Sequence, residues 1–227
     1  MICAAIVTAG GVGARMGSDI PKQYLHLNGI PILARTLAIF QAHPGIDFIV
    51  LTTPIGQVEY CSSEIVARYN LTKIRNVVQG GDSRQESVLN GLRLAQDSDF
   101  VVIHDAVRPF VEASVISGSI EKAKITGAAI AACAVSDTVK RGNGFIVETV
   151  PRDNLWLAHT PQTFRTSLIV DAHEKAMADG FTGTDDAALV ERLGFQVAIV
   201  TDSSYNIKIT SPYDMIVAER LVTVLAS

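Results

Sequence analysis

The chain has 227 residues, 48% hydrophobic and only 6% aromatic, enough for one substantial aliphatic core. Its formal net charge of −4 leaves no basic field for duplex nucleic acid, so a nucleotide partner has to be met by local cations. Cys3, Cys61 and Cys133 are isolated and form no Cys-x-x-Cys pair, which argues against a disulfide framework or zinc site and fits a reducing cytoplasm; no apolar run has the length of a membrane span or the layout of a signal peptide.

Taken in chain order, Ile2-Cys3-Ala4-Ala5-Ile6-Val7 opens a buried strand near 2–8, followed by a Gly-rich loop and a helix near 31–42. Strands near 47–53, 73–79 and 99–104 then alternate with helices near 56–69, 83–96 and 112–125. Beyond a strand near 128–135, Thr138-Val139-Lys140, Gly142-Asn143-Gly144 and Phe145-Ile146-Val147-Glu148-Thr149-Val150 read as a β-hairpin turning at Asn143-Gly144. A strand near 155–164, helices near 166–179 and 184–193, a strand near 195–201 and a helix near 211–225 complete the chain. Ser211-Pro212 has the form of an N-cap followed by proline at the first helical position, and Thr184 before Asp185-Asp186 reads as another cap. This alternation predicts an α/β fold, Rossmann-like, with a mostly parallel twisted sheet and helices on both faces. One domain spanning 1–227 is expected, with a protruding β-arm at about 137–152.

The loop after the first strand carries the strongest chemical signal. Thr8-Ala9-Gly10-Gly11-Val12-Gly13-Ala14-Arg15-Met16-Gly17 offers backbone N–H groups unshielded by side chains, a pattern suited to phosphate oxygens. Arg15 and Lys22 follow within reach and suit the polyanionic tail of a nucleoside triphosphate. Walker A is excluded because no Lys-Ser/Thr follows the glycines. The dinucleotide fingerprint fits poorly because Met16 stands where its third glycine belongs.

The loop, with Pro21-Lys22 shortly after it, resembles the signature of the sugar nucleotidyltransferases. Ordered further motifs are Gly80-Gly81-Asp82-Ser83-Arg84-Gln85-Glu86-Ser87-Val88, His104-Asp105-Ala106-Val107-Arg108-Pro109, Asp137-Thr138-Val139-Lys140, Thr160-Pro161-Gln162, Thr184-Asp185-Asp186-Ala187 and Asn206-Ile207-Lys208-Ile209-Thr210. Together they cover nearly the whole chain and look like the cytidylyltransferases of the non-mevalonate isoprenoid pathway, which pass CMP from CTP to a methylerythritol phosphate. That resemblance implies a nucleotidyltransferase fold, Mg²⁺ or another divalent cation held mainly by the CTP phosphates with no dedicated protein ligand, and a cytoplasmic homodimer joined through the β-arm. It implies no nucleic-acid or membrane partner.

By the same resemblance, Arg15 and Lys22 stabilise charge on the α-phosphate and the leaving pyrophosphate, and Ala9, Gly10, Gly11, Gly13, Gly81, Asp82, Ser87, Asp105 and Ala106 complete the CTP site. The acceptor falls to Asp105, Arg108, Thr138, Arg152, Thr160, Thr184 and Lys208, with Arg152 and Lys208 on its phosphate and Arg152 reaching the neighbouring subunit's site. In-line transfer needs positioning and charge neutralisation rather than a covalent nucleophile, so the missing Ser/His/Asp triad is no objection. His104 is read as structural, since an acceptor phosphate is already ionised near neutral pH. His26, His43, His159 and His173 show no metal-ligand spacing. Two other readings remain open: a ribitol 5-phosphate cytidylyltransferase, because Ala9-Gly10-Gly11 replaces the more usual Ala-Ala-Gly, and a non-catalytic nucleotide-binding regulator.

Overall fold

A computed structural model of the chain describes residues 1–10 and 20–225. In chain order its strands are β1 (Cys3–Thr8), the short pair β2 (His26–Leu27) and β3 (Ile30–Pro31), β4 (Phe48–Thr53), β5 (Ile74–Gln79), β6 (Phe100–Asp105), β7 (Ala128–Ala134), β8 (Val139–Asn143), β9 (Phe145–Val150), β10 (Trp156–Arg165) and β11 (Ala198–Thr201). The helices are α1 (Ile32–Ala42), α2 (Val58–Tyr60) running into a wider π turn at Cys61–Ala67, α3 (Arg84–Leu92), α4 (Ala113–Thr126), α5 (Thr166–Ala178), α6 (Asp186–Arg192) and α7 (Pro212–Leu225).

Seven strands form one sheet in the order β11-β7-β10-β6-β1-β4-β5, and only β10 runs antiparallel to its neighbours. The mostly parallel α/β expectation is met. β1 is apolar on both faces because both are covered, as parallel strands between helix layers must be. Cys3, Ala5 and Val7 join the core under α1, the π turn and α4, whereas Ala4 and Ile6 join the core under α3, α5 and α6. Buried residues of the size of Ile6 and Phe40 are typically worth about 2–5 kcal/mol against truncation to alanine. Gly91 lets α3 lie close on β1: a Cβ there would stand 2.6 Å from Ile6 Cγ2.

The chain lays down β1, β4 and β5 outward in one direction, then places β6 on the opposite side of β1. Such a reversal opens a crevice at the carboxyl ends of the strands, where α/β sheets place ligands. Thr8 and Asp105, the last residues of β1 and β6, stand side by side there.

Several boundaries differ from expectation. The helix expected over 83–96 ends at Leu92, and the last strand begins at Ala198 rather than near 195. Asp185, not Thr184, caps α6: its carboxylate accepts from Ala188 N at 2.9 Å, and Thr184 lies exposed. Ser211 caps α7 as expected, with Asp214 reaching back to Ser211 N at 2.8 Å. In the arm, Gly144 alone has positive φ, so Asn143 pairs with Phe145 across it and a bulge at Arg141/Gly142 absorbs the offset. A side chain at Gly142 would collide with Phe145 O.

Candidate active site

A cavity of about 410 Å³ occupies the crevice. Thr8 at the end of β1 lines it with Ala9 and Gly10 just beyond, Lys22 and Gln23 from the segment beyond the loop, Gly81 to Ser83 leading into α3 with Arg84 and Ser87 of its first turns, Asp105 at the end of β6 with Val107 just beyond, and Lys208 from the stretch before α7. Pro54 and Ile55 add an apolar wall after β4.

Lys22 is held by its neighbours. It begins a single 3-10 turn, Lys22–Tyr24, whose other two residues are buried. Gln23 Nε2 donates to Ala9 O at 2.8 Å, and the Tyr24 hydroxyl meets Cys61 Sγ at 3.1 Å. The backbone from which the lysine projects is thereby tied both to β1 and to the helix layer.

The Gly80-Gly81 segment is folded by the residues that follow it. Ser87 Oγ donates to Ser83 O at 2.9 Å and accepts from Gly81 N at 3.1 Å. A Cβ at Gly80 would stand 2.6 Å from that hydroxyl and one at Gly10 2.9 Å from it, so two glycines and a serine meet where bulkier residues would not fit. Ser83 caps α3 by accepting from Glu86 N at 3.1 Å. Glu86 closes the box one residue early, accepting from Asp82 N at 2.9 Å. The Ser87 hydroxyl is thus engaged in shaping the loop that lines the cavity.

Asp105 is the electrostatic centre. Its Oδ1 accepts from Arg84 Nε at 3.1 Å; its Oδ2 lies 2.8 Å from Lys208 Nζ and 3.5 Å from Arg108 Nε. Burial alone would raise the carboxyl pKa, but Arg84, Lys208 and Arg108 together outweigh it and hold the group well below the usual carboxylate range. Arg84 spans Asp105 and Asp186, with Nη1 2.7 Å from Asp186 Oδ2. Its Nη2 is buried without a hydrogen-bond partner among the described residues.

His104 is fully buried, and burial lowers its pKa to about 4, so it is neutral at physiological pH. Nε2 faces Arg108 O at 3.1 Å and therefore carries the proton, leaving Nδ1 to accept from the Thr160 hydroxyl at 3.1 Å. Thr160 Oγ1 in turn accepts from Asp105 N at 3.1 Å. Thr160 thus stands behind Asp105, at a bulge in β10 between Ala158 and Gln162. Arg108 is buried, its Nη1 donating to Asn206 O at 2.6 Å, which ties it to the segment leading to Lys208. Ala106 is also buried and donates its N–H to Thr8 O, bracing the two strand ends.

Of the residues expected at the site, Ala9, Gly10, Lys22, Gly81, Asp82, Ser87, Asp105 and Lys208 line one cavity. Gly11, Gly13 and Arg15 lie outside the described residues. Thr138, Arg152 and Thr184 are exposed and are not part of the cavity wall; the Arg152 guanidinium donates to Ser136 O at the foot of the arm. Sequence reasoning missed Arg84 as a site residue. A signal existed: a cation in the first turn of a helix opposes the helix dipole, so something else must hold it there.

Among the described residues no three His, Cys, Asp or Glu side chains converge to hold a metal. Mg²⁺ typically keeps several waters and binds through substrate phosphates, so this wall suits an ion delivered with a triphosphate. Asp105, already paired with three cations, is a poor metal ligand unless one of those pairs opens.

A family model described as 2-C-methyl-D-erythritol 4-phosphate cytidylyltransferase matches residues 3–224. The sequence is 51% identical to a protein of that name from Geotalea uraniireducens, over 96% of this chain and 95% of the relative. It is 47% identical to one from Geobacter metallireducens, with 96% of each covered. The structure is similar to the 4-diphosphocytidyl-2C-methyl-D-erythritol synthase of Anaerococcus prevotii, with a TM-score of 0.87 at 32% identity, covering 98% of this chain and 96% of that one. The 2-C-methyl-D-erythritol 4-phosphate cytidylyltransferase of Thermus thermophilus gives a TM-score of 0.81 at 32% identity, covering 98% and 100%.

Proposed function

The chain belongs to the 2-C-methyl-D-erythritol 4-phosphate cytidylyltransferase family and is a cytidylyltransferase, and on that premise we propose how its residues divide the work. The reaction transfers CMP from CTP to 2-C-methyl-D-erythritol 4-phosphate, giving 4-diphosphocytidyl-2-C-methyl-D-erythritol and pyrophosphate. A phosphate oxygen of the acceptor attacks the α-phosphorus in line, and the bond from that phosphorus to the oxygen bridging to the β-phosphate breaks. Lys22 and Arg15 meet the charge that develops on the α-phosphate and leaving group. Gly10, Gly81, Asp82 and Ser87 enclose the nucleotide, while Asp105 and Lys208 face the acceptor side and the buried Arg108 supports Asp105 from behind. A divalent cation, bound with the triphosphate, supplies further charge neutralisation. No base is required, and neutral His104 is left to its structural bonds.

The observation that carries this reading is the cavity at the reversal of strand order, lined by glycine backbone, Lys22 and Lys208 together. Incubating the protein with CTP and Mg²⁺, and with either methylerythritol phosphate or ribitol 5-phosphate, tests it through pyrophosphate release. Turnover with ribitol phosphate alone would move the chain to the other acceptor. Lys208→Ala is expected to raise the acceptor KM about tenfold or more, in line with losing a charge-assisted contact, while CTP titration stays near the parent value. An equal loss of CTP affinity would place Lys208 on the other substrate.

The homodimer is part of the same proposal. Phe145, Ile146 and Val147 are 87%, 68% and 77% exposed on a two-stranded arm that buries too little to stand free. A second copy covering them would bring Arg152, at the arm's foot, towards its neighbour's cavity. If so, mixing Arg152→Ala with Lys22→Ala protein lets each exchanged heterodimer assemble one intact site from two defective parents. Activity should then rise above either parent, and deleting residues 140–149 should shift sedimentation towards monomer. A mixture that exchanges subunits yet stays inactive would confine Arg152 to its own subunit's site. The cytoplasm is the compartment that fits, with Cys3, Cys61 and Cys133 all unpaired thiols.

A further inference from the structure

A line of paired polar side chains runs from the cavity wall to buried groups on α5 and α6. His173, on that helix, is fully buried, and its Nε2 lies 3.1 Å from Asp186 Oδ1. The other carboxylate oxygen of Asp186 takes Arg84 Nη1 at 2.7 Å, and Arg84 Nε reaches Asp105 Oδ1 at 3.1 Å. Asp105 ends the line at Lys208. The backbone of Asp186 is fixed separately, because Gln162 Oε1 accepts from both Asp186 N and Ala187 N at 3.1 Å. With the backbone pinned, His173 and Arg84 are left to set the rotation of the carboxylate.

Packing does not explain an imidazole here. His173 Nδ1 is buried with no hydrogen-bond partner among the described residues. A leucine would fill similar space without orphaning a nitrogen, so the ring is retained at a cost that core filling alone would not require. Arg84 also sits at the positive end of α3, where the helix dipole opposes it. Its placement therefore rests on the two carboxylates, and one of these is oriented by His173.

We propose that His173, which lies outside the cavity wall, is a positioning residue for CMP transfer. It fixes the Asp186 carboxylate, through it the Arg84 guanidinium, and through Arg84 the carboxylate with which Lys208 pairs. The proposal rests on the cytidylyltransferase reading, and its test keeps the two apart.

His173→Leu removes the donor, His173→Asn keeps polarity but is too short to reach Asp186, and His173→Gln carries an N–H near the position of Nε2. Turnover, CTP affinity by titration calorimetry and unfolding midpoints are measured for each, and for His173→Leu in an Asp186→Asn background. The expected result is a loss of about tenfold in kcat/KM for the leucine and asparagine variants, within the range for directly coupled groups, with most activity recovered by glutamine. In the Asp186→Asn background the leucine substitution should add no further functional loss, although its effect on unfolding remains. Glutamine and asparagine variants of equal activity, or the same loss recurring in the Asp186→Asn background, would overturn the proposal. A parent protein that binds CTP but releases no pyrophosphate with either polyol phosphate would overturn the reading and the proposal together, whereas an active parent whose His173 variants fail these comparisons would overturn the proposal alone.

Discussion

Lys22→Ala is expected to lower turnover by about 100-fold or more while leaving the unfolding midpoint near that of the parent. The magnitude follows from removing one preorganised charge aimed at a transition state, typically about 2.7–4 kcal/mol. Preorganisation is the step that the structure supports: Gln23 and Tyr24, directly after the lysine, are buried and bonded to Ala9 and Cys61. A lysine on a mobile loop would lose part of its effect to reorganisation. The fold should be indifferent, because the substitution removes a partly exposed side chain and leaves that backbone scaffold intact. Pyrophosphate release at saturating CTP and acceptor measures the effect, and a variant within a fewfold of the parent would take Lys22 out of the reaction. Arg15→Ala is expected to behave alike on the sequence argument.

Why this much of the molecule was legible follows from which interactions are local. β1, β4 and β6 are short apolar runs because both their faces are covered, and such runs need no knowledge of the partner. The Gly80-Gly81 turn and the Ser83 cap are likewise written within a few residues. The β2–β3 hairpin escaped notice although its turn, Asn28 with φ 50° and Gly29 with φ 78°, has the usual residue pair. Its strands are two residues each, too short to show a period. The misplaced cap at Thr184 had a different cause: threonine and aspartate both cap helices, and the choice was made by Gln162, 23 residues away, whose side chain holds the Asp185 carboxylate.

The site divides along the same line. Lys22, Asp105 and Lys208 could be named from their motifs, but nothing in the sequence says that Asp105 takes the second and third cations of a buried cluster. Arg84 lies 21 residues from Asp105 and 102 from Asp186, separations over which no periodicity carries information. Thr160 shows the opposite limit. The resemblance assigns it to the acceptor, and the structure adds that its hydroxyl is shared between Asp105 N and His104 Nδ1, which makes it part of the support beneath the carboxylate.

Asp105→Asn should therefore damage the protein more broadly than any single cation substitution. Asparagine keeps the size and one acceptor oxygen but removes the charge on which Arg84, Lys208 and Arg108 converge. Breaking a buried ion pair by removing one partner typically costs about 3–5 kcal/mol. The lower end is expected here, because Arg84 retains Asp186, Arg108 retains Asn206 O, and Lys208 is 38% exposed and can be rehydrated. Urea unfolding of parent and variant at several pH values separates this effect from simple loss of packing. The folded pKa of Asp105 is depressed, so its contribution is fully present above the unfolded carboxylate value of about 3.9. It is lost only as pH falls from there towards the folded value. The gap between parent and variant should stay constant from pH 7 to pH 5 and narrow below about pH 4. A gap that is already small at pH 7, or that does not change on acidification, would mean that the three cations are stabilised by something other than this carboxylate.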